Sequence, residues 1–211
     1  MPVINLDCIG GGKEIERWWL NNYFMAVNNK LIADFGAINW SGEGLAYKEY
    51  GINRTNETVS FDIQQVEKLK GQYIRADISQ YPIYKNECFD IGLCISTLEH
   101  VGLSAYGNER LNDSADNLSI HAMWETIKPG GKLIISVPVG NSFEAVDGWV
   151  KIYTPKIIQS WKDIIHSCCM QVSYFSKCVG GWDVSCEKSL NARIPNGDIN
   201  NVAIVEMVKT V

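Results

Sequence analysis

The stretch Phe89-Asp90-Ile91-Gly92-Leu93-Cys94-Ile95-Ser96 decides the fold. Its apolar residues run on without alternating, which marks a strand covered on both faces. A second run of this kind follows at Lys132-Leu133-Ile134-Ile135-Ser136-Val137-Pro138. Between them, Ser114 to Ile127 reads as a helix, with Leu118, His121, Ala122, Trp124 and Glu125 distributed around it. Pro129-Gly130-Gly131 is expected to stop that helix firmly. Doubly covered strands joined by a helix are parallel neighbours in an α/β sheet.

Working outward, Lys30 to Gly36 reads as a short buried strand ending in a turn, and Thr58 to Ile63 as a β-rich second strand. Tyr73 to Asp77 is a third, short strand. Lys13 to Val27 has roughly helical apolar spacing through Ile15, Trp18, Trp19, Tyr23 and Met25. Helical starts are also expected at Gly42 to Tyr50 and at Gln64 to Lys70, the latter closed by Gly71. Downstream, Thr154-Pro155 is an N-cap followed by proline at the first helical position. That helix carries Ile157, Ile158, Trp161, Ile164 and Ile165. Two late strands near Gln171 to Val179 and Asn201 to Val208 have no helix between them, so they should pair antiparallel at the sheet's edge. The pattern predicts a Rossmann-like, doubly wound, mostly parallel sheet with an antiparallel C-terminal pair. Residues 1–30 form an N-terminal helical segment of the same domain, and 31–211 the sheet domain.

The 211 residues are 46% hydrophobic and 20% charged, ordinary globular composition that excludes a disordered chain. The net charge of −5, with no Lys/Arg block, argues against a nucleic-acid or anionic-membrane partner. No apolar run reaches the ~20 residues of a membrane span, and the first residues lack the pattern of a signal peptide. Seven cysteines without a C-x-x-C, two of them adjacent at Cys168-Cys169, predict reduced, mostly buried thiols in a cytoplasmic protein. No His/Cys/Asp group has metal-ligand spacing, so no metal is expected.

The run from Phe89 through Ser96-Thr97-Leu98-Glu99-His100-Val101-Gly102-Leu103 resembles the fourth-strand motif of class I S-adenosylmethionine-dependent methyltransferases. Ile127-Lys128-Pro129-Gly130-Gly131 and the strand after it are similar to that family's post-motif. The resemblance spans Leu31 to Val208 and implies seven strands. It is closest to the type 11-like methyltransferases associated with glycan and cell-surface polymer synthesis, where a similar S-T-x-E-H-x-G-L run occurs.

In an open α/β sheet a cofactor lies at the carboxyl ends of the strands, at the topological switch point. By resemblance, Asp34 and Gly36, with Ala37, match the D-x-G of the cofactor loop after the first strand. Asp62, with Ile63, follows the second strand, where an acid accepts hydrogen bonds from the ribose hydroxyls. Asp77, with Ile78, follows the third, where an acid meets the adenine amine. Ser96 and Thr97 close the fourth, near the methionine end. His100 is the candidate base for an acceptor hydroxyl. The implied cofactor is S-adenosylmethionine and the implied partner a small-molecule or glycan acceptor.

The chain departs from the family where D-x-G should continue with glycines: Ile38 and Trp40 stand there. The separation of Asp34 and Asp62, 28 residues, also exceeds the roughly 20 of the related dinucleotide pattern, which predicts an insertion around Gly51 to Glu57. These departures motivate a second reading, a non-catalytic relative acting as a binding or scaffold protein. A nicotinamide-dependent oxidoreductase is a third, opposed by the missing G-x-G-x-x-G. Ser104 to Asp116 is a candidate acceptor lid, and Trp149, Lys151 and Tyr153 fall on the acceptor side. Trp18 and Trp19 read as packing residues or as a cover for the cleft.

Overall fold

The computed structural model describes residues 13–38, 52, 55–64, 72–104, 114–166, 168–178, 181–185, 190 and 200–210. The helical starts expected at Gly42 to Tyr50 and Gln64 to Lys70 fall almost wholly outside them, as do Trp40, Gly51, Asn53 and Arg54 of the expected insertion and most of the Ser104 to Asp116 loop.

The first helix, α1, spans Lys13–Phe24, followed by the strands β1 (Leu31–Phe35), β2 (Glu57–Asp62), β3 (Gln72–Arg75) and β4 (Phe89–Ile95). A single 3-10 turn at Leu98–His100 precedes α2 (Ala115–Glu125) and β5 (Ile127–Pro138). A small hairpin, β6 (Glu144–Val146) and β7 (Val150–Ile152), leads into α3 (Pro155–Ile164). Then come β8 (Cys168–Cys178), β9 (Gly181–Ser185) and β10 (Asn201–Lys209).

The main sheet has the order β3-β2-β1-β4-β5-β10-β8-β9. The first five strands are parallel, while β10 is antiparallel to both β5 and β8, and β9 to β8. Eight strands therefore replace the expected seven. The extra one, β9, is a five-residue segment in which Trp182 and Val184 alternate with Gly181, Asp183 and Ser185, so no continuous hydrophobic run betrays it. It takes the edge, and β10 lies inside the sheet rather than at its margin.

Side chains alternate across the sheet and so divide the core in two. One face packs Phe35, Phe61, Phe89, Leu133 and Ile135 against Ile120, Met123 and Trp124 of α2 and Ile158 and Trp161 of α3. The other packs Ile32, Ile91, Leu93, Ile134 and Val202 against Ile15, Leu20 and Phe24 of α1. Trp18 and Trp19 lie against this second core, and Trp19 stacks on Tyr23.

Pro129-Gly130-Gly131 does a different job from the one expected. The helix has already ended at Glu125, with the Thr126 N–H donating to the Met123 carbonyl. The glycines instead form a bulge within β5, where pairing jumps from Phe89–Ile127 to Ile91–Lys132. Gly130 has φ +76, and a Cβ on Gly131 would lie 2.9 Å from the Asp90 carbonyl oxygen. Both positions therefore call for glycine.

Thr154 caps α3 as expected, its Oγ1 accepting from the Ile157 N–H at 3.3 Å. Among the described residues five cysteines are free thiols, but only Cys94 is fully buried, against the expectation of mostly buried thiols. None of the described helices is long and apolar enough to cross a membrane. Phe24 is buried on the α1 side, and Phe24→Ala should cost about 3–5 kcal/mol in urea unfolding. A loss under about 1 kcal/mol would show that α1 is not docked as described.

Candidate active site

The C-terminal ends of β3, β2, β1 and β4 lie side by side. The chain leaves β1 toward β2 and β3, then returns to place β4 on the opposite flank, so β1 and β4 define the switch point. After β1 the backbone bends over β2. The Gly36 and Ala37 N–H groups donate to the Phe61 carbonyl at 2.8 and 3.1 Å, and the Ile38 N–H donates to Asp62 Oδ2 at 2.9 Å. Gly36 has φ +77, and a Cβ there would fall 2.2 Å from the Thr97 side chain. Loops from the two sides of the switch point thus touch where only glycine fits.

Each expected site residue can be placed along this edge. Asp34 is buried one residue before the end of β1, and Ala37 is buried beyond it. Asp62 closes β2, and each of its carboxylate oxygens accepts one backbone N–H, from Ile38 and from Gln64. Burial pushes its pKa above the ordinary value although those bonds oppose the shift. Ile63 beside it is half-exposed. Beyond β3, Asp77 Oδ1 accepts from the Ser79 N–H at 2.9 Å and its hydroxyl at 2.7 Å, while Oδ2 takes no hydrogen bond from the described residues. Ile78 is buried next to it. The link between these corners is direct, since the Ala76 N–H donates to the Asp62 carbonyl at 2.8 Å.

Ser96 follows β4 with φ +47, a left-handed conformation that serine seldom adopts. Its surroundings hold it there. The Ser96 N–H donates to Ser136 Oγ at 2.9 Å, and its hydroxyl lies 2.8 Å from both oxygens of Glu16. The Ser136 hydroxyl also donates to Glu16. One carboxyl therefore joins α1, β4 and β5 at the site. Thr97 Oγ1 donates to the Ile95 carbonyl at 3.0 Å.

Glu16 and Ser136 were not legible as site residues. The available signal is that Glu16 occupies the buried stripe of α1 shared by Leu20 and Phe24, an apolar position taken by an acid. Burial raises the Glu16 pKa, against hydrogen bonds from Ser136 and Ser96. Glu99 is 1% exposed, and its Oε2 takes no hydrogen bond. Burial, reinforced by the charge of Glu16, drives its pKa well up.

His100 ends the 3-10 turn. Its Nδ1 lies 2.6 Å from the Trp149 carbonyl oxygen, and the two rings meet edge-to-face at 5.5 Å. Burial lowers the His100 pKa below 6.5. Nearby, Lys151 pairs with Asp116 at 3.3 Å in a buried ion pair. The Tyr153 hydroxyl donates to Asp116 at 3.1 Å, and the Leu98 carbonyl lies 3.3 Å from it. No group of His, Cys, Asp and Glu suited to a metal exists among the described residues.

No protein-family profile matches the sequence, and no curated protein matches it. Solved structures do. A 1,6-didemethyltoxoflavin-N1-methyltransferase of Burkholderia thailandensis, crystallised with 1,6-didemethyltoxoflavin and S-adenosylhomocysteine, superposes with a TM-score of 0.58 at 13% identity, over 93% of this chain and 79% of that one. A SAM-dependent methyltransferase from Archaeoglobus fulgidus gives 0.57 at 15% identity, over 93% and 95%. The chain has the fold of the S-adenosylmethionine-dependent methyltransferases. The [4+2]-cyclase SpnF shares that fold, with a TM-score of 0.62 at 12% identity over 99% of this chain and 86% of that one.

The buried acids give a prediction with a definite sign. A carboxyl whose pKa is raised by folding binds its proton more tightly folded than unfolded. Its contribution to stability is complete below the ordinary value of 4.5 and is lost as pH rises through the folded value. Unfolding free energy of the wild type should therefore carry a falling component above pH 4.5. Glu99→Gln should flatten that slope, and an unchanged slope would show that Glu99 is ionised at little cost.

Proposed function

We propose that the protein binds S-adenosylmethionine across β1 to β4 and transfers its methyl to an oxygen of a small or saccharide-like acceptor. The observation that supports this most is the row of Asp62, Asp77 and the Ser96–Thr97 corner along one sheet edge, on a fold shared with S-adenosylhomocysteine-bound neighbours. The residues fit the cofactor. The Asp62 carboxylate accepts backbone N–H groups from Ile38 and Gln64 and has further acceptor capacity that ribose hydroxyls could use. Asp77 Oδ2 is open to an exocyclic amine. Ile63 and Ile78 would offer apolar flanks, and the corner at Gly36, Ser96 and Thr97 would hold the methionine end.

When bound, the cofactor supplies a methyl already activated by its sulfonium. The chain has to hold the acceptor oxygen behind that methyl and take up its proton. His100 is the base in this reading, and its burial favours the neutral form that can accept a proton. The acidic balance of the chain favours a small acceptor over a nucleic acid, and the free thiols fit a cytoplasmic setting. One observation favours the second reading, a binding or scaffold protein. Three N–H groups of the loop after β1 are committed to β2, and Ile38 holds a position where the family pattern has glycine.

Calorimetry with S-adenosylmethionine and S-adenosylhomocysteine should show binding of both. Absence of binding at millimolar concentration would defeat the proposal. Asp62→Ala should weaken the affinity by ~1–3 kcal/mol through lost charged hydrogen bonds. Once an acceptor is found among sugars, phenols and amines, His100→Ala should cut turnover while leaving cofactor affinity nearly intact. Binding without transfer to any acceptor would favour the scaffold reading.

A further inference from the structure

The β6–β7 hairpin has no part in the sheet, yet it is tied to the turn that carries His100. Its tip is Asp147-Gly148, with φ +51 and +64, the geometry of a tight turn in which both central residues are left-handed. The Trp149 N–H closes this turn on the Val146 carbonyl at 2.9 Å. Ladder pairing then begins at Val146–Val150, so Trp149 is an extra residue between turn and ladder. Its carbonyl meets His100 Nδ1 at 2.6 Å instead of a strand partner.

A carbonyl oxygen can only accept, so the imidazole must donate from Nδ1. In the neutral ring the basic lone pair is then on Nε2. Three further ties fix the hairpin to the same region. The Ser104 hydroxyl lies 3.4 Å from the Gly148 carbonyl, Lys151 of β7 pairs with Asp116, and Tyr153 reaches the Leu98 carbonyl. Among the described residues, the charged group that bears on His100 is Lys13 of α1, whose positive charge also disfavours imidazolium.

We infer that the hairpin is a positioning device for the base. The main-chain carbonyl of Trp149 selects the Nδ1–H tautomer of His100 and so puts the basic lone pair on Nε2, the atom that would take an acceptor's proton. Gly148 is the residue that makes this possible, because it holds the turn that turns the Trp149 carbonyl outward. The inference rests on the reading of His100 as a base, but its test needs neither cofactor nor acceptor.

The chain has only three histidines, so long-range proton–nitrogen correlation spectra of the full-length, 15N-histidine-labelled protein can resolve each ring. A His100→Gln variant assigns the His100 signals. The wild type should show a protonated Nδ1 and an unprotonated Nε2 at neutral pH. Gly148→Val, whose branched side chain cannot comfortably hold φ +64, should shift His100 toward the Nε2–H form that unconstrained histidine prefers. Trp149→Ala keeps the carbonyl and should keep the tautomer. An Nε2–H form in the wild type overturns the inference even if Gly148→Val does not fold. So does a Gly148→Val spectrum unchanged from wild type, or a tautomer lost in Trp149→Ala. A protein with the expected tautomer that binds no S-adenosylmethionine would defeat the proposed function and leave this inference standing.

Discussion

Gly36 has no room for a side chain, and the candidate site is built around that fact. On one side its N–H and that of Ala37 share the Phe61 carbonyl at the end of β2. On the other, the Thr97 side chain of the β4 corner occupies the space a Cβ would need. The left-handed turn at Gly36 brings three strand ends within reach of one another, and Asp62 secures the next residue, Ile38. A larger residue would have to push the β1 loop away from β4, which separates the two halves of the switch point.

The β4 corner is constrained from a second direction. Ser96 holds an unfavourable backbone conformation because Ser136 and Glu16 take both its N–H and its hydroxyl. The cost of burying Glu16 is offset by those hydroxyls and by the positive charges of Lys13 and Arg17. Glu99 is buried nearby without a hydrogen bond to Oε2, so the region holds more acid than it neutralises. Such an arrangement is poor for stability, and strain and unfavourable burial of this kind collect at functional sites. His100 sits after the same corner, where burial disfavours its charged form and the Trp149 carbonyl of the hairpin contacts Nδ1.

The sheet was legible because its central strands are uninterrupted apolar runs: β4 could be read almost residue by residue, β5 only from Lys132 onward, and Thr154-Pro155 marked the start of α3. β9 was not legible, since a five-residue edge strand needs no hydrophobic run. Pro129-Gly130-Gly131 was read as a helix stop because local turn chemistry does not distinguish a helix terminus from a strand bulge; the register of β4 against β5 decides it. The strand-end acids were proposed from the family resemblance laid over the strand order. Glu16 and Ser136 did not, because their contact links residues 120 positions apart. The Trp149 carbonyl is a backbone group and leaves no mark in the residue types at all.

The central claim is that S-adenosylmethionine chemistry takes place at the carboxyl ends of β1 to β4. A crystal structure of the complex with S-adenosylhomocysteine tests it most directly. The account predicts density along that edge, with the ribose against Asp62, the adenine amine toward Asp77 and the homocysteine end at Gly36 and Ser96. Density at another place on the molecule, or a ribose far from Asp62, would contradict it.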